Sequence, residues 1–460
     1  MSRWPDLASF ALDLADADIP EAARRKAVDA ITDGLACALA GSVSEVARPV
    51  LRALGIDGGV AGGTAQLLGS ELRAAPADAA LYNGTITHAL DYDDVTHPAF
   101  SHPTTVLMPA LFALAHDAQA SGRDIVGAYI VGLDVFGKLG RALNTAHYRA
   151  GWHATSTFGS IAAAVAAGRL LRLNREQLMS AVGMATSASS GLRANFGTMT
   201  KPLHAGYAAR NGVLAVKLAR EGFTASGEAL THRFGFAQVF NGGSPAKWNE
   251  FANWGAPFEI ESEFGIGLKP FPSCAATHTA IEAALLLRQE IGGKVDDIRA
   301  IRAGVAEMSL EPLIHVRPDT GLAGKFSMHY CVASALVDGT VDLATFDDAR
   351  VKNPKVVDLI GRTKMEVDER VRHSSEFASV LAFTMADGRT HEKLVPLAMG
   401  KPHRWFTKER LRQKFGDCAN GVLSAGQVDA AFQAAQDLDR LPSLEPLLRA
   451  LSVRRAAAAE

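Results

Sequence analysis

The sequence predicts a mainly helical protein in which a large all-helical domain is joined to a second, smaller α+β domain. Three observations lead there. From the start to about Phe264 the chain is rich in Ala, and its apolar residues recur three or four apart, the period of a half-buried helix. After Pro270 the pattern becomes short alternating segments with an Asp-Gly turn signal, the mark of strands and a hairpin. From Lys401 the helical period returns. The expected boundaries are therefore 1–267 plus 399–460 for the helical domain and 268–398 for the smaller one.

In chain order, Pro20 suits a first helical position, and a helix from there buries Val28, Ile31, Leu35 and Leu39 and stops at Gly41. Helices are expected at Thr104–Ala118, Phe158–Leu171 and Pro202–Glu221. Asn174 and Gln177 have the spacing of a capping box ahead of Leu178–Ala188. In the smaller domain, Thr277–Gln289 reads as a helix, and Ile298–Ala306 and Thr363–Val367 as strands. Val380–Arg389 reads as a hairpin whose Asp387-Gly388 supplies the positive φ angles of a two-residue turn. Phe406–Phe415 and Val428–Leu438 return to helix, and the tail Arg454–Glu460 is expected to fray.

Composition narrows the function. Of 460 residues, 47 are Lys or Arg and 49 Asp or Glu, a balance with no electrostatic footprint for nucleic acid or an anionic membrane, so a small-molecule partner is expected. Cys37, Cys274, Cys331 and Cys418 lie far apart without C-x-x-C spacing, which gives no zinc or iron–sulfur signal and fits a reducing compartment. Met1–Asp6 lacks the features of a secretory signal, and no apolar run approaches the ~20 residues that span a bilayer, so a cytoplasmic location is expected.

Four polar segments concentrate the chemistry. His88 to Pro103 holds three carboxylates and three imidazoles, including His88, Asp91, Asp94, His97 and His102, a crowd that is costly unless its members pair or face a ligand. His88 and Asp91, three apart, would share a helical face, and His102-Pro103 would open the next helix, where free N–H groups favour an anion. A polar loop that only caps two helices is the bland alternative. Tyr148 to Ser156 places His153 before another helix start, although a lone His there is more often a cap. Arg193 to Gly206 contains Lys201 and His204. Its glycines lack the phosphate-loop order, and Lys201, directly before Pro202, should be extended at a helix entrance, where its ammonium could pair a carboxylate. Lys269 to His278, at the domain junction, adds Lys269, Cys274 and His278; Cys274 has no local nucleophile pattern.

Together these segments, with Asp33–Ala36, Asn83-Gly84 and Ser327–Tyr330, resemble the MmgE/PrpD family, which contains 2-methylcitrate dehydratase, cis-aconitate decarboxylase and iminodisuccinate epimerase. The resemblance spans most of the chain. It implies an all-helical large domain, a smaller α+β lid-like domain, a homodimer, and a pocket for small di- or tricarboxylic acids that uses no metal or other cofactor. It implies catalytic roles for Asp91, His102, His153, Lys201, His278 and Tyr148, and substrate contacts from His88, Asp94, His97, Arg193, His204, Lys269 and Cys274. The chain departs from the decarboxylase pattern at Val95, where a Thr is usual, and at Phe100, which lengthens the loop before His102.

The residue types suit proton transfer beside a carboxylate, with His153 or Lys201 as base and His102, held charged by Asp91, as acid. A 2-methylcitrate dehydratase-like hydro-lyase is the expectation. A decarboxylase or an epimerase on the same scaffold is the alternative, since all three reactions pass through carbanion-like states. Two other enzyme classes are weaker: a magnesium-dependent isoprenoid synthase, because Asp93-Asp94-Val95-Thr96-His97 ends in His, and a mononuclear metal hydrolase using His88, Asp91 and His102. A non-catalytic carboxylate-binding helical protein is the reading from outside enzymes.

Overall fold

The computed structural model describes residues 7–56 and 62–453; the tail 454–460 and the first six residues lie outside that range. The protein is mainly helical and divides into two compact units. Unit 1 runs to Ala89, resumes over Asp93–Leu268 and takes the chain again from Thr407, while unit 2 comprises Leu90–Tyr92 and Lys269–Phe406. The closing boundary thus falls eight residues after the 398/399 expected from sequence, and a three-residue excursion, invisible to composition, belongs to unit 2.

Unit 1 is built on α1 (Glu21–Ser42), α2 (Pro76–His88), α3 (Thr104–Leu114), α4 (Gly122–Leu143), α5 (Ala154–Leu170), α6 (Arg175–Ala188) and α7 (Thr200–Arg220). Helices α2, α3 and α5 are buried along nearly their whole length, because Ala, Gly and Thr let neighbours pack on every side. The capping box at Asn174 and Gln177 forms as expected, each side chain satisfying the other's backbone N–H. Helix α1 runs one residue past Gly41. That glycine is there for a different reason: a Cβ would lie 1.8 Å from the Ile86 carbonyl oxygen of α2.

The most extensive helix contact in unit 1 is between α2 and α7. At their crossing a Cβ on Gly84 would come within 2.8 Å of Gly206 Cα, and one on Gly206 within 2.3 Å of the Leu81 carbonyl oxygen. Backbone therefore meets backbone. His88 lies one turn beyond Gly84, and Lys201 and His204 lie within a turn and a half before Gly206, so this crossing fixes where those side chains emerge.

Helix α8 (Lys408–Ala419), where unit 1 resumes, packs on α1 and carries Lys414, whose ammonium lies 2.7 Å from Asp33 with both side chains fully buried. Burial raises the Asp33 carboxyl to about 6 against the pull of Lys414. Among the described residues no single helix is long and apolar enough to cross a membrane.

Unit 2 holds a four-stranded sheet of β1 (Ile298–Val305), β2 (Thr363–Val367), β3 (Ser379–Met385) and β4 (Thr390–Val395) in the order β2-β1-β3-β4. β1 and β2 are parallel, with Ile301 opposite Thr363, so the chain between them must cross over, and it does so through helices Met328–Asp338 and Pro354–Arg362. β3 and β4 form the expected hairpin, but its turn is longer than expected. Met385 and Arg389 close a three-residue loop, in which Gly388 alone takes a positive φ, of 84°. Helix His278–Glu290 packs on β3 and β4.

Gly206→Ala is expected to lower stability by about 3 kcal/mol or more, because the added methyl meets backbone and cannot be absorbed by a rotamer change. Urea denaturation midpoints at constant slope measure it.

Candidate active site

Helix ends bring the polar residues of unit 1 together. α2 stops at His88 because the chain turns sharply, Asp91 taking a left-handed φ of 53°. His88 and Asp91 therefore do not share a helical face. The partner of His88 is Asp93, whose Oδ1 lies 2.9 Å from His88 Nδ1, while Asp93 Oδ2 lies 2.8 Å from His102 Nδ1. His102 precedes α3, its backbone N–H donating to Thr155 Oγ1 at 3.2 Å and its Nδ1 to the Asp94 carbonyl oxygen at 2.9 Å.

His153 occupies the position before α5, yet its side chain makes no cap. Its Nδ1 lies 3.0 Å from His204 Nδ1, so one ring donates and the other accepts, and the pair shares one proton at that contact. The ring centres of His88 and His102 are 4.3 Å apart, and those of His88 and His153 6.0 Å. Lys201 lies in the first turn of α7, helical where the sequence predicted an extended residue. Proline is tolerated there because the first-turn N–H it removes has no helical partner. The Lys201 ammonium is 5.5 Å from the centre of the Phe196 ring, and Phe196 also meets His153 edge to face.

Burial sets the charge states. It holds His153 well below the ordinary histidine value and His88 and His204 at about 4, and the positive charge of Lys201 pushes all three the same way. Burial alone would raise Asp93, but the His88 and His102 rings outweigh it and hold the carboxyl well below the usual range. At neutral pH His88, His153 and His204 are thus neutral imidazoles and Asp93 a carboxylate.

The remaining candidates of unit 1 stand as follows. Asp94 is turned inward, accepting hydrogen bonds from the Thr104 backbone N–H and hydroxyl at the start of α3. Burial holds its carboxyl well above the usual value. The Tyr148 ring lies 3.6 Å from the Arg193 guanidinium and meets Phe100 edge to face. His97 packs against Phe100 and Phe264. The extra residue Phe100 is absorbed by a left-handed turn, with a φ of 49°.

Asp91, Lys269, Cys274 and His278 belong to unit 2. Asp91 pairs with Lys269, whose ammonium lies 3.1 Å from Asp91 Oδ1 and donates to the Asp91 carbonyl oxygen at 2.8 Å. Asp91 thus pairs with Lys269 within unit 2, and in unit 1 a second carboxylate, Asp93, faces His102. His278 donates from Nε2 to the Ser273 carbonyl oxygen at 3.1 Å, and burial lowers it to about 3. Cys274 is partly exposed, its backbone N–H held by the Lys325 carbonyl oxygen.

Asp93 is the residue sequence reasoning missed. The three-residue spacing of His88 and Asp91 pointed to Asp91, and only the left-handed turn shows that the helix ends before it. Ligand-type atoms of His88, Asp93 and His102 lie within 4.8 Å of one another, with Asp93 Oδ1 hydrogen-bonded to His88 Nδ1 and Oδ2 facing His102 Nδ1.

Residues 5–249 match the MmgE/PrpD N-terminal domain and residues 271–440 the MmgE/PrpD C-terminal domain. The chain belongs to the MmgE/PrpD family. Similar members include a cis-aconitate decarboxylase-like protein of Aspergillus oryzae, 28% identical over 97% of this chain and 96% of its own length. The cis-aconitate decarboxylase of Homo sapiens is 26% identical over 81% of this chain and 78% of its own. A 2-methylcitrate dehydratase-like protein of Aspergillus oryzae is 28% identical, over 53% and 52%.

Keeping His88 and His204 neutral makes stability depend on pH. The folded chain binds their protons only near pH 4, whereas the unfolded chain binds them near 6.5, so the stability they contribute is complete above 6.5 and lost as pH falls toward 4. Urea midpoints measured from pH 7.5 to 4.5 should fall more steeply for the wild type than for His204→Asn.

Proposed function

We propose that this lyase decarboxylates a small unsaturated tricarboxylic acid of the cis-aconitate type without a metal ion, by proton transfer from the histidine cluster of unit 1. The observation that carries the reading is the gathering at helix ends of His88 and His102 against Asp93, beside the His153–His204 pair and Lys201. Cleaving a carbon–carbon bond to a carboxylate releases carbon dioxide and leaves an electron pair on the neighbouring carbon, delocalised toward the remaining unsaturated acid. A protonated group must then deliver a proton to it.

His102 and His153 suit that delivery. The proton of His153 is weakly held because the ring is buried, so it is given up readily, and a bound polyanion supplies the charge that loads it. Lys201, at the positive end of α7, offsets the negative charge of the substrate, and its side chain is positioned to do so before the reaction begins. Tyr148 and Arg193, stacked together beside Phe100, are proposed to shape the wall of the same pocket. Within unit 2, Lys269 holds Asp91 and a backbone acceptor holds His278; the family resemblance gives Asp91 and His278 acid and base roles.

The sequence alone favoured dehydration. The long matches to proteins named for cis-aconitate decarboxylation move the reading to loss of carbon dioxide. Dehydration of a 2-methylcitrate-type acid is the second reading, favoured by Val95 and by the Phe100 insertion, which places an aromatic ring against Tyr148. A homodimer in solution is proposed on the family resemblance.

Incubating the protein with cis-aconitate, citrate, 2-methylcitrate and iminodisuccinate in deuterated water, with products followed by NMR, tests the reading. Loss of carbon dioxide from cis-aconitate is the expected result, and water loss or exchange with inversion would replace it with the dehydratase or epimerase branch. Activity should survive excess chelator. Lys201→Ala is expected to lower kcat/KM by about 100-fold or more, with the melting temperature near that of the wild type.

A further inference from the structure

Two short segments and a helix start hold the rings of His153 and His204 together. Gly151 to His153 runs antiparallel to Gly191 to Arg193. The His153 N–H donates to the Gly191 carbonyl oxygen at 3.0 Å, and the Arg193 N–H to the Gly151 carbonyl oxygen at 2.9 Å. The His153 carbonyl oxygen accepts the Ser156 N–H at 2.9 Å as α5 begins. Gly191 takes a positive φ of 114°, and a Cβ there would lie 2.9 Å from Ser156 Cβ and 3.4 Å from His204 Cγ. The His204 ring, presented by α7, therefore packs on the residue whose carbonyl anchors His153, and meets the His153 ring Nδ1 to Nδ1 at 3.0 Å. Both side chains are buried.

Two hydrogens at such a contact would collide and two lone pairs would repel, so one hydrogen lies between the two Nδ1 atoms. When His153 is charged, both of its nitrogens carry a hydrogen, and His204 Nδ1 must then be the acceptor. Of the groups whose charge acts on His153, the Lys201 ammonium has no lone pair to offer, whereas the His204 ring has one at 3.0 Å.

We propose that His204 is a positioning residue for His153: it holds the ring by Nδ1, accepts the N–H of the imidazolium that forms there, and leaves Nε2 as the nitrogen that exchanges a proton with the substrate. The proposal rests on the lyase reading for its use, though the hydrogen bond between the rings stands on geometry alone. It gives His204 a role other than the substrate contact implied by the family resemblance. The protons balance in one cycle. A proton from solvent enters His153 at Nε2, the Nδ1 hydrogen stays in the contact, and the Nε2 proton leaves for the carbon that carries the electron pair once carbon dioxide departs. His204 gains and loses none. Without it, the imidazolium would hold a buried N–H with no acceptor.

Two measurements test it. With the histidine nitrogens of the full chain isotopically labelled, NMR should show a scalar coupling between imidazole nitrogens of two different residues, one carrying the hydrogen and one not. The coupling should vanish in His204→Asn. Its absence from the folded wild type would overturn the proposal. The second is kinetic. His204→Leu removes the acceptor, so kcat should fall by about 100-fold while KM changes by less than about threefold. The amide of His204→Asn can accept or donate near the same place, and should restore kcat to within about tenfold of the wild type. A raised KM with unchanged kcat would make His204 a substrate contact and overturn the proposal, as would equal losses of kcat in the two variants. The coupling is read on the wild type without substrate, so it judges the pair even where His204→Leu fails to fold. If none of the acids tested turns over, the lyase reading fails while the coupling still judges this one.

Discussion

The backbone contact between α2 and α7 is the constraint on which the polar cluster depends. Gly84 and Gly206 let the two helices approach until no side chain separates them, and a helix is stiff over a turn or two, so the positions of His88, Lys201 and His204 follow from that contact. A Leu at either glycine would separate the helix axes by several ångströms, according to the usual 8–10 Å spacing of packed helices. The imidazoles would then no longer meet. Packing and chemistry are here one requirement: a proton-transfer geometry is only as rigid as the helices that present it.

Burial then does two things at once. It strips water from the histidines and keeps them neutral, and it strengthens every remaining interaction with Asp93 and Lys201. A lone buried carboxylate would cost several kcal/mol, and Asp93 is offset by a hydrogen bond to His88 Nδ1 and by the nearby His102 ring. Unit 1 uses a similar device where Lys414 of α8 meets Asp33 on α1. There the pairing ties a late helix of the chain to an early one.

Periodicity made the helices legible. The capping box of α6, the strand Thr363–Val367 and the four polar segments were all readable from residue type and spacing, because each is a local consequence of the residues in it. The errors share a cause. Gly41 read as a helix stop because glycine often ends helices, but its role is set by Ile86, 45 positions away in the chain. Lys201 read as extended because it precedes proline, but it falls within a first turn where that restriction is relieved. Asp91 read as sharing a helical face with His88 because the chain was assumed to stay helical, and a single left-handed residue ended the helix and left Asp93 against His88.

The sequence by itself determined the mainly helical class, the α+β character of the second unit, the family, and the inventory of groups able to move protons beside a carboxylate. These follow from patterns that span a few residues, or from motifs whose order is fixed in the chain. Only the tertiary structure decided which of those groups are partners. Hydrogen bonds and pKa values depend on distances of a few ångströms and on burial, and both are set by how distant segments pack. For that reason Asp93, one carboxylate among three in the same short run, became the centre of the cluster only once α2, α3 and α5 were in place around it.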